Sequence, residues 1–187
     1  GSERGVVHPD RITRPYSTSY CGIREPLLAQ RNNSGMCIVV RHWPSGQYSE
    51  SLKKALSYEA LKQFSSNAAN LFWDKVHPQT ALGIPMPYEA SLMLSFQEAA
   101  IIPEAFGEAL TTKAANMVNA DILAGLGRIT STPTYVLAGI RFPACDFTAD
   151  KLPTALDLAK KARAGNKDAI EQIISIITNG LLNEQLL

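Results

Sequence analysis

The chain has few of the residues that announce chemistry. It holds three cysteines, Cys21, Cys37 and Cys145, and no two of them are separated by two residues. That is too few for a disulfide-stapled scaffold, and the spacing fits no metal-ligand pattern. One bridge plus a free thiol, or three buried thiols, both remain open. Lys and Arg number 18 against 17 Asp and Glu, a net charge of +1. A balance so even gives no electrostatic reason to expect a nucleic-acid partner or an anionic membrane surface. No apolar run reaches the roughly 20 residues of a membrane span, so membrane insertion is not expected. A Gly-Lys-Ser/Thr phosphate loop is absent, as are paired carboxylates in the breaker loops. No metal and no cofactor is expected. Gly1-Ser2 reads as a cloning scar, with no hydrophobic signal-peptide core after it.

What is present is an ordinary globular composition, 45% hydrophobic and 19% charged over 187 residues. That length suits one domain with a substantial core. Residues 1–34 are rich in Arg, Pro, Ser and Asn, and Arg14-Pro15 and Glu25-Pro26 break any helix. They are expected to form an N-terminal arm. Asn32-Asn33-Ser34-Gly35 is turn chemistry, and Met36-Cys37-Ile38-Val39-Val40 predicts a short buried strand. Arg41-His42-Trp43-Pro44-Ser45-Gly46 ends it. A long helix should follow, with Leu52, Leu56, Ala60, Phe64, Ala68 and Leu71 on one stripe and Ser49 or Ser51 as its cap.

Breakers crowd residues 80–87. Residues 88–100 then read as an apolar helix with Leu92, Phe96 and Ala99 on one side and Met93 close by. Pro103 interrupts the pattern, and a turn or two of helix should follow. Thr111 or Thr112 is expected to cap a helix carrying Ala115, Val118, Ile122 and Leu126, stopped by Gly125 and Gly127. Further on, Thr148 should begin a helix through Leu152, Leu156 and Ala159, ending at Gly165, with Pro153 tolerable only in its first turn. The tail has the clearest amphipathic pattern: Ile170, Ile173, Ile174, Ile177 and Leu181, with Asn166 as cap. These isoleucines need cover, either from the chain's own body or from a partner such as a second copy.

Between these helices lies Gly127-Arg-Ile-Thr-Ser-Thr-Pro-Thr-Tyr-Val-Leu-Ala-Gly139, with strands expected at 135–137 and 140–142. Thr132-Pro133-Thr134 stands at the mouth of the first. Pro133 there fits either a cis peptide in a tight turn or an ordinary trans proline opening an edge strand. The order helix, Gly-containing turn, Ile-Thr-x-Thr-Pro-Thr, strand, Gly, strand, helix resembles the C-terminal half of thioredoxin-fold proteins, above all the periplasmic DsbA and DsbC/DsbG groups. The likeness covers roughly residues 112–164.

The resemblance implies an α/β, thioredoxin-like sheet over 35–165 with a helical insertion near 80–111 and an extra C-terminal helix at 166–187. It implies a periplasmic location, and the expected partner is a protein or peptide within a secretion or conjugative transfer assembly. Strand, Trp, Pro/Gly turn, helix is also where such enzymes carry Cys-x-x-Cys, at a helix N-terminus that lowers the first thiol's pKa. If Trp43 matches the tryptophan before that motif, Pro44-Ser45-Gly46-Gln47 takes its place and holds no sulfur. A second departure is the lack of a β-rich run after the helix. The expected function is therefore a non-catalytic binding or scaffold module. Its groove would be formed by Trp43, Pro44, Ser45 and Gly46 facing Thr132, Pro133 and Thr134, holding an extended segment by strand addition.

Two enzymatic alternatives carry stated residues. A divergent thiol-disulfide oxidoreductase would use Cys145 or Cys37. Val39-Val40-Arg41-His42 also resembles the opening of the histidine phosphatases, in which His42 would accept a phosphoryl group. Trp43 stands where those enzymes have glycine, and His8 and His77 both lie far from the C-terminus. Cys37 and His42 are five apart on a strand, which puts them on opposite faces and out of reach as nucleophile and base.

Overall fold

The computed structural model describes residues 5–11, 36–38, 41–44, 50–76, 86–130, 134–143 and 151–179. The chain divides into two compact units. One comprises Gly1–Ile12, Gly22–Arg41 and Gly127–Leu187, the other Thr13–Cys21 and His42–Leu126.

In the first unit, strands β1 (Gly5–Arg11), β2 (Met36–Ile38), β3 (Thr134–Leu137) and β4 (Ile140–Pro143) form one sheet in the order β2-β1-β3-β4. β1 runs parallel to β2, with Gly5 opposite Met36, and antiparallel to β3, with Val7 opposite Leu137. The sequence reading put an arm where β1 lies, because Gly-Val-Val-His-Pro-Asp-Arg has no clean alternation. Pairing on both edges supplies what the local pattern lacks. Pro9 has no N–H to give a ladder, and the β1–β3 register shifts between Pro9 and Arg11. Prolines inside sheets are confined to such irregularities or to edges. The strand expected at residues 36–40 is seen over Met36–Ile38; Val39 and Val40 lie outside the described residues.

The two strands expected at 135–137 and 140–142 are β3 and β4, which pair as an antiparallel hairpin. Ala138 and Gly139 both have positive φ, 48° and 85°, as in the two-residue turns whose twist suits a hairpin. Helix α6 (Lys151–Arg163) packs on β3, burying Leu152, Ala155, Leu156 and Ala159 beside Tyr135 and Leu137. Pro153 falls in its first turn, where a missing N–H costs nothing. At the other end, Arg163 Nη1 donates to the Ala138 carbonyl at 2.9 Å and ties the helix to the hairpin.

Helix α7 (Lys167–Asn179) packs against α6. Asn166 caps it as expected, its Oδ1 accepting the Ala169 N–H at 2.9 Å. The buried face is Ala169, Ile173 and Ile176, whereas Ile174 is 57% exposed and Ile170 38%. The expected stripe is thus rotated, because small Ala169 lets α7 approach α6 along that line. Leu181, Thr148 and Ser49 lie outside the described residues.

The second unit is helical: α1 (Ser51–Lys62), α2 (Ser66–Val76), α3 (Tyr88–Ala99), α4 (Pro103–Ala109), a wide π-type turn (Leu110–Ala114) and α5 (Ala115–Gly125). It includes the described part of the expected insertion near 80–111 and extends to both sides of it. The single long helix expected from residue 52 to 71 is two. The chain turns after Lys62, and Ser65 restarts it by accepting the Ala68 N–H at 3.2 Å.

α1 is the central helix and packs against every other element of the unit. That position overturns the expected stripe. Leu52 and Phe64 are 47% and 44% exposed, while Ser51, Lys54, Ser57 and Glu59 are buried with Ala55, Ala60 and Leu61. The expected serine cap is also absent: Glu50 is the N-cap, without a side-chain bond, and Ser51 is the first helical residue. Buried polar groups are tolerated because they are paired. Ser57 Oγ reaches the Tyr88 hydroxyl at 2.7 Å, and Lys54 reaches Glu50 at 3.2 Å.

The core of the unit gathers Leu61, Phe72, Val76, Tyr88, Ile101 and Phe106 around small Ala60, Ala68, Ala69 and Ala114. Each large side chain so buried contributes roughly 2 kcal/mol. Phe72 meets Tyr88 edge-on at 5.8 Å, and Phe96 meets Phe106 at 4.9 Å. Leu92, Phe96 and Ala99 pack against this core, while Met93 is 56% exposed. Pro103 interrupts the helical pattern as expected and opens α4. Thr111 and Thr112 do not cap α5. They lie inside the π-type turn, with hydroxyls that donate back to the Gly107 and Glu108 carbonyls.

The hairpin offers a paired test. Ala138→Gly is expected to stabilise by about 0.5 kcal/mol, the left-handed penalty of an L residue less glycine's greater unfolded-state freedom. Gly139→Ala should cost about 1 kcal/mol or more, since its φ is 85° and a Cβ would meet the Arg163 guanidinium at 3.0 Å. Urea denaturation of the two variants checks both signs.

Candidate functional site

The chain enters α1 through Arg41-His42-Trp43-Pro44, and one residue of this segment is gripped twice. The backbone N–H of His42 donates to Asp121 Oδ2 of α5 at 2.8 Å. Its ring Nε2 lies 2.7 Å from Glu59 Oε1 of α1. His42 is 1% exposed, Glu59 3% and Asp121 8%. The cluster therefore joins two helices and the entering segment away from solvent.

Aromatic edges and one more cation complete it. The Tyr58 ring meets His42 at 5.9 Å and Trp73 of α2 at 5.1 Å, both edge-on. Lys62 Nζ is 3.7 Å from Glu59 Oε2 and 5.8 Å from the Tyr58 ring centre. Burial by itself would raise the pKa of Glu59. The hydrogen bond and charge of His42, with those of Lys62, outweigh it and hold the carboxyl below its ordinary value. An ionised Glu59 accepts only, so Nε2 carries the hydrogen of the short contact.

Several sequence expectations meet the structure here. Trp43 and Pro44 are half-buried at the start of the segment, and Thr134 is the buried first residue of β3. Ser45, Gly46, Thr132 and Pro133 lie outside the described residues, as do Cys21 and Cys145. Cys37 is the middle residue of β2, its backbone register opposite Val6. The phosphatase alternative fails on burial. A phosphoryl acceptor must meet its substrate, and His42 is almost fully covered with Nε2 committed to a carboxylate. Among the described residues, no group of three or more His, Cys, Asp or Glu is placed to hold a metal ion, and no helix is long and apolar enough to cross a membrane.

Sequence reasoning missed Glu59 and Asp121. A signal existed for Asp121, an acid flanked at helical spacing by Val118 and Gly125 on the buried face of α5. Glu59 gave less away: it is inward-facing only because α1 is surrounded. What the cluster can do chemically is hold and orient. Its ionisable atoms are too covered to exchange protons with a bound substrate.

No protein-family profile and no curated protein matches the chain. Solved structures do. The thiol-disulfide exchange protein alpha-DsbA2 from Wolbachia pipientis superposes with a TM-score of 0.61 at 17% identity, over 83% of this chain and 82% of that one. The oxidoreductase DsbA from Xylella fastidiosa gives 0.57 at 16% identity, over 88% and 89%. The fold is thus thioredoxin-like, of the DsbA kind with a helical insertion.

Replacing Glu59 by Gln should cost about 2 kcal/mol at neutral pH, the worth of a hydrogen bond to a charged group. Because the folded pKa lies below the ordinary 4.5, this stabilisation is fully present above pH 4.5 and is lost as the pH falls through the folded value. Denaturation curves for both proteins across that range should therefore converge on the acid side.

Proposed function

We propose that this chain is a DsbA-like protein of the bacterial envelope that binds an extended protein segment without dithiol exchange. One observation carries the reading: the segment that His42 anchors into α1 continues as Trp43-Pro44-Ser45-Gly46-Gln47, and no cysteine occurs between Cys37 and Cys145. A thiol at this helix start is what gives the fold its usual reactivity, since the helix N-terminus favours the thiolate. On this reading the segment is a recognition element with Trp43 as its aromatic anchor, and an extended partner segment pairs through its main chain. The periplasm is the location the resemblance supports. A role in secretion or conjugative transfer gains no support from the site or the structural neighbours.

A second reading has its own support. The two solved neighbours bear names of thiol-disulfide exchange and oxidoreductase. On that reading, Cys145 or Cys37 supplies the attacking thiolate, with a second thiol from Cys21 or from the substrate, in a geometry unlike the usual motif.

The two are separated by activity and binding together. Thiol titration before and after reduction, followed by an insulin-reduction assay, should give no turnover above the uncatalysed rate. Turnover abolished in Cys145→Ser or Cys37→Ser would sink the binding reading. A reduced, carboxymethylated polypeptide should bind the wild-type chain, and Trp43→Ala should weaken that binding about tenfold or more, as truncation of an aromatic anchor does.

A further inference from the structure

We infer that His42, Glu59 and Asp121 form a one-sided acid latch, which holds the segment entering α1 across the whole range in which histidine titrates and releases it only when the carboxylates are neutralised. The inference stands whichever functional reading holds. It rests on who donates. Both bonds run from His42 to a carboxylate: the backbone N–H to Asp121 and Nε2–H to Glu59. A backbone N–H does not titrate. The ring nitrogen carries its hydrogen both in the imidazolium and in the neutral Nε2–H tautomer. Raising the pH past the histidine value thus leaves both bonds intact.

Lowering it does not. Protonating Glu59 replaces the charged acceptor of Nε2–H by a neutral carboxyl and removes the negative charge beside Lys62. Protonating Asp121 weakens the second grip on the same residue. Two carboxylates on two different helices meet one residue, so their loss frees that residue rather than either helix. α1 and α5 keep their contacts to the rest of the unit.

The surrounding charges do not reverse this. Lys62 on α1 favours the ionised state of Glu59. Arg41, beside His42 in the chain, is half-buried, as are Asp74 and Lys75 on α2. On α3, Glu89 is paired with exposed Lys53 at 3.3 Å, and Glu98 is exposed. Lys54, buried on α1, is paired with Glu50 at 3.2 Å, and Glu104 and Glu108 on α4 and Lys113 in the π-type turn are exposed to solvent.

The full chain contains two tryptophans, so Trp73→Phe leaves Trp43, next to the latch, as the sole reporter. Its emission should stay constant from pH 8 to 6 and shift with a midpoint below 4.5, while the far-UV helical signal persists. In the same background, Glu59→Gln should show the shifted emission already at pH 7 or move the midpoint by about one unit or more. Asp121→Asn, which keeps an acceptor oxygen, provides a milder variant with the same expected direction. A midpoint near 6.5, the ordinary histidine value, overturns the inference. So does an emission change that coincides with loss of helix, or a midpoint unmoved in both variants.

Discussion

A charge buried without its partner costs several kcal/mol, more than a single packing contact returns. α1 buries two, Lys54 and Glu59, each 3% exposed. Lys54 is answered by Glu50, the N-cap of its helix, one turn earlier. Glu59 is answered from outside by His42, with Lys62 at the margin. This second pairing ties the central helix to the chain that leads into it. α2, α3, α4 and α5 then close around a helix whose inward face is partly polar. The alanines at 55, 60, 68, 69 and 114, all fully buried, let these helices come close enough to shut out water. The His42–Glu59 pair and the small-residue packing support each other: the buried carboxylate is tolerated because it is answered, and the packing is dense because α1 is enclosed.

This interdependence decides what could be read from the sequence. Features fixed by near neighbours in the chain were legible: the hairpin at Ala138-Gly139, Asn166 as a cap, Pro153 in a first turn, the helix from Tyr88 to Ala99. Features fixed by distant partners were not. The stripe Leu52-Leu56-Ala60-Phe64 has good helical spacing, yet the inward face follows Ser51, Lys54, Ser57 and Glu59, whose partners include residues 17 and 31 positions away. β1 is a strand because β2 and β3 flank it, and its own alternation is poor. For the candidate site, the segment His42-Trp43-Pro44 stood out from its position before a helix, but the acids that hold it did not. His42 was weighed as a nucleophile's partner and as a phosphoryl acceptor, and it serves as an anchor.

The superposition on DsbA structures extends over more than four-fifths of its length, and the sequence from Ile38 to Ala144, which includes the segment leading into α1, holds no cysteine. His42, held at both its backbone and its ring, immediately precedes Trp43 in the chain. Fixing one residue before its neighbour meets anything lowers the ordering cost that later contacts would otherwise carry.

The π-type turn at Leu110–Ala114 has a consequence for how this chain tolerates length changes. Phe106, Leu110, Ala114 and Val118 are spaced by four residues each and all pack inward. An α-helix advances about 100° per residue, so three successive steps of four would carry the face about 120° around the axis. The wide turn absorbs that drift, as an extra residue accommodated inside a helix does. Removing one residue there would restore a regular helix and swing Asp121 about 100° off its line to His42. Helical propensity would improve and the anchor would be lost. The turn is thus a reading frame for α5, and insertions or deletions in it should be far less acceptable than substitutions at exposed Thr111, Thr112 or Lys113.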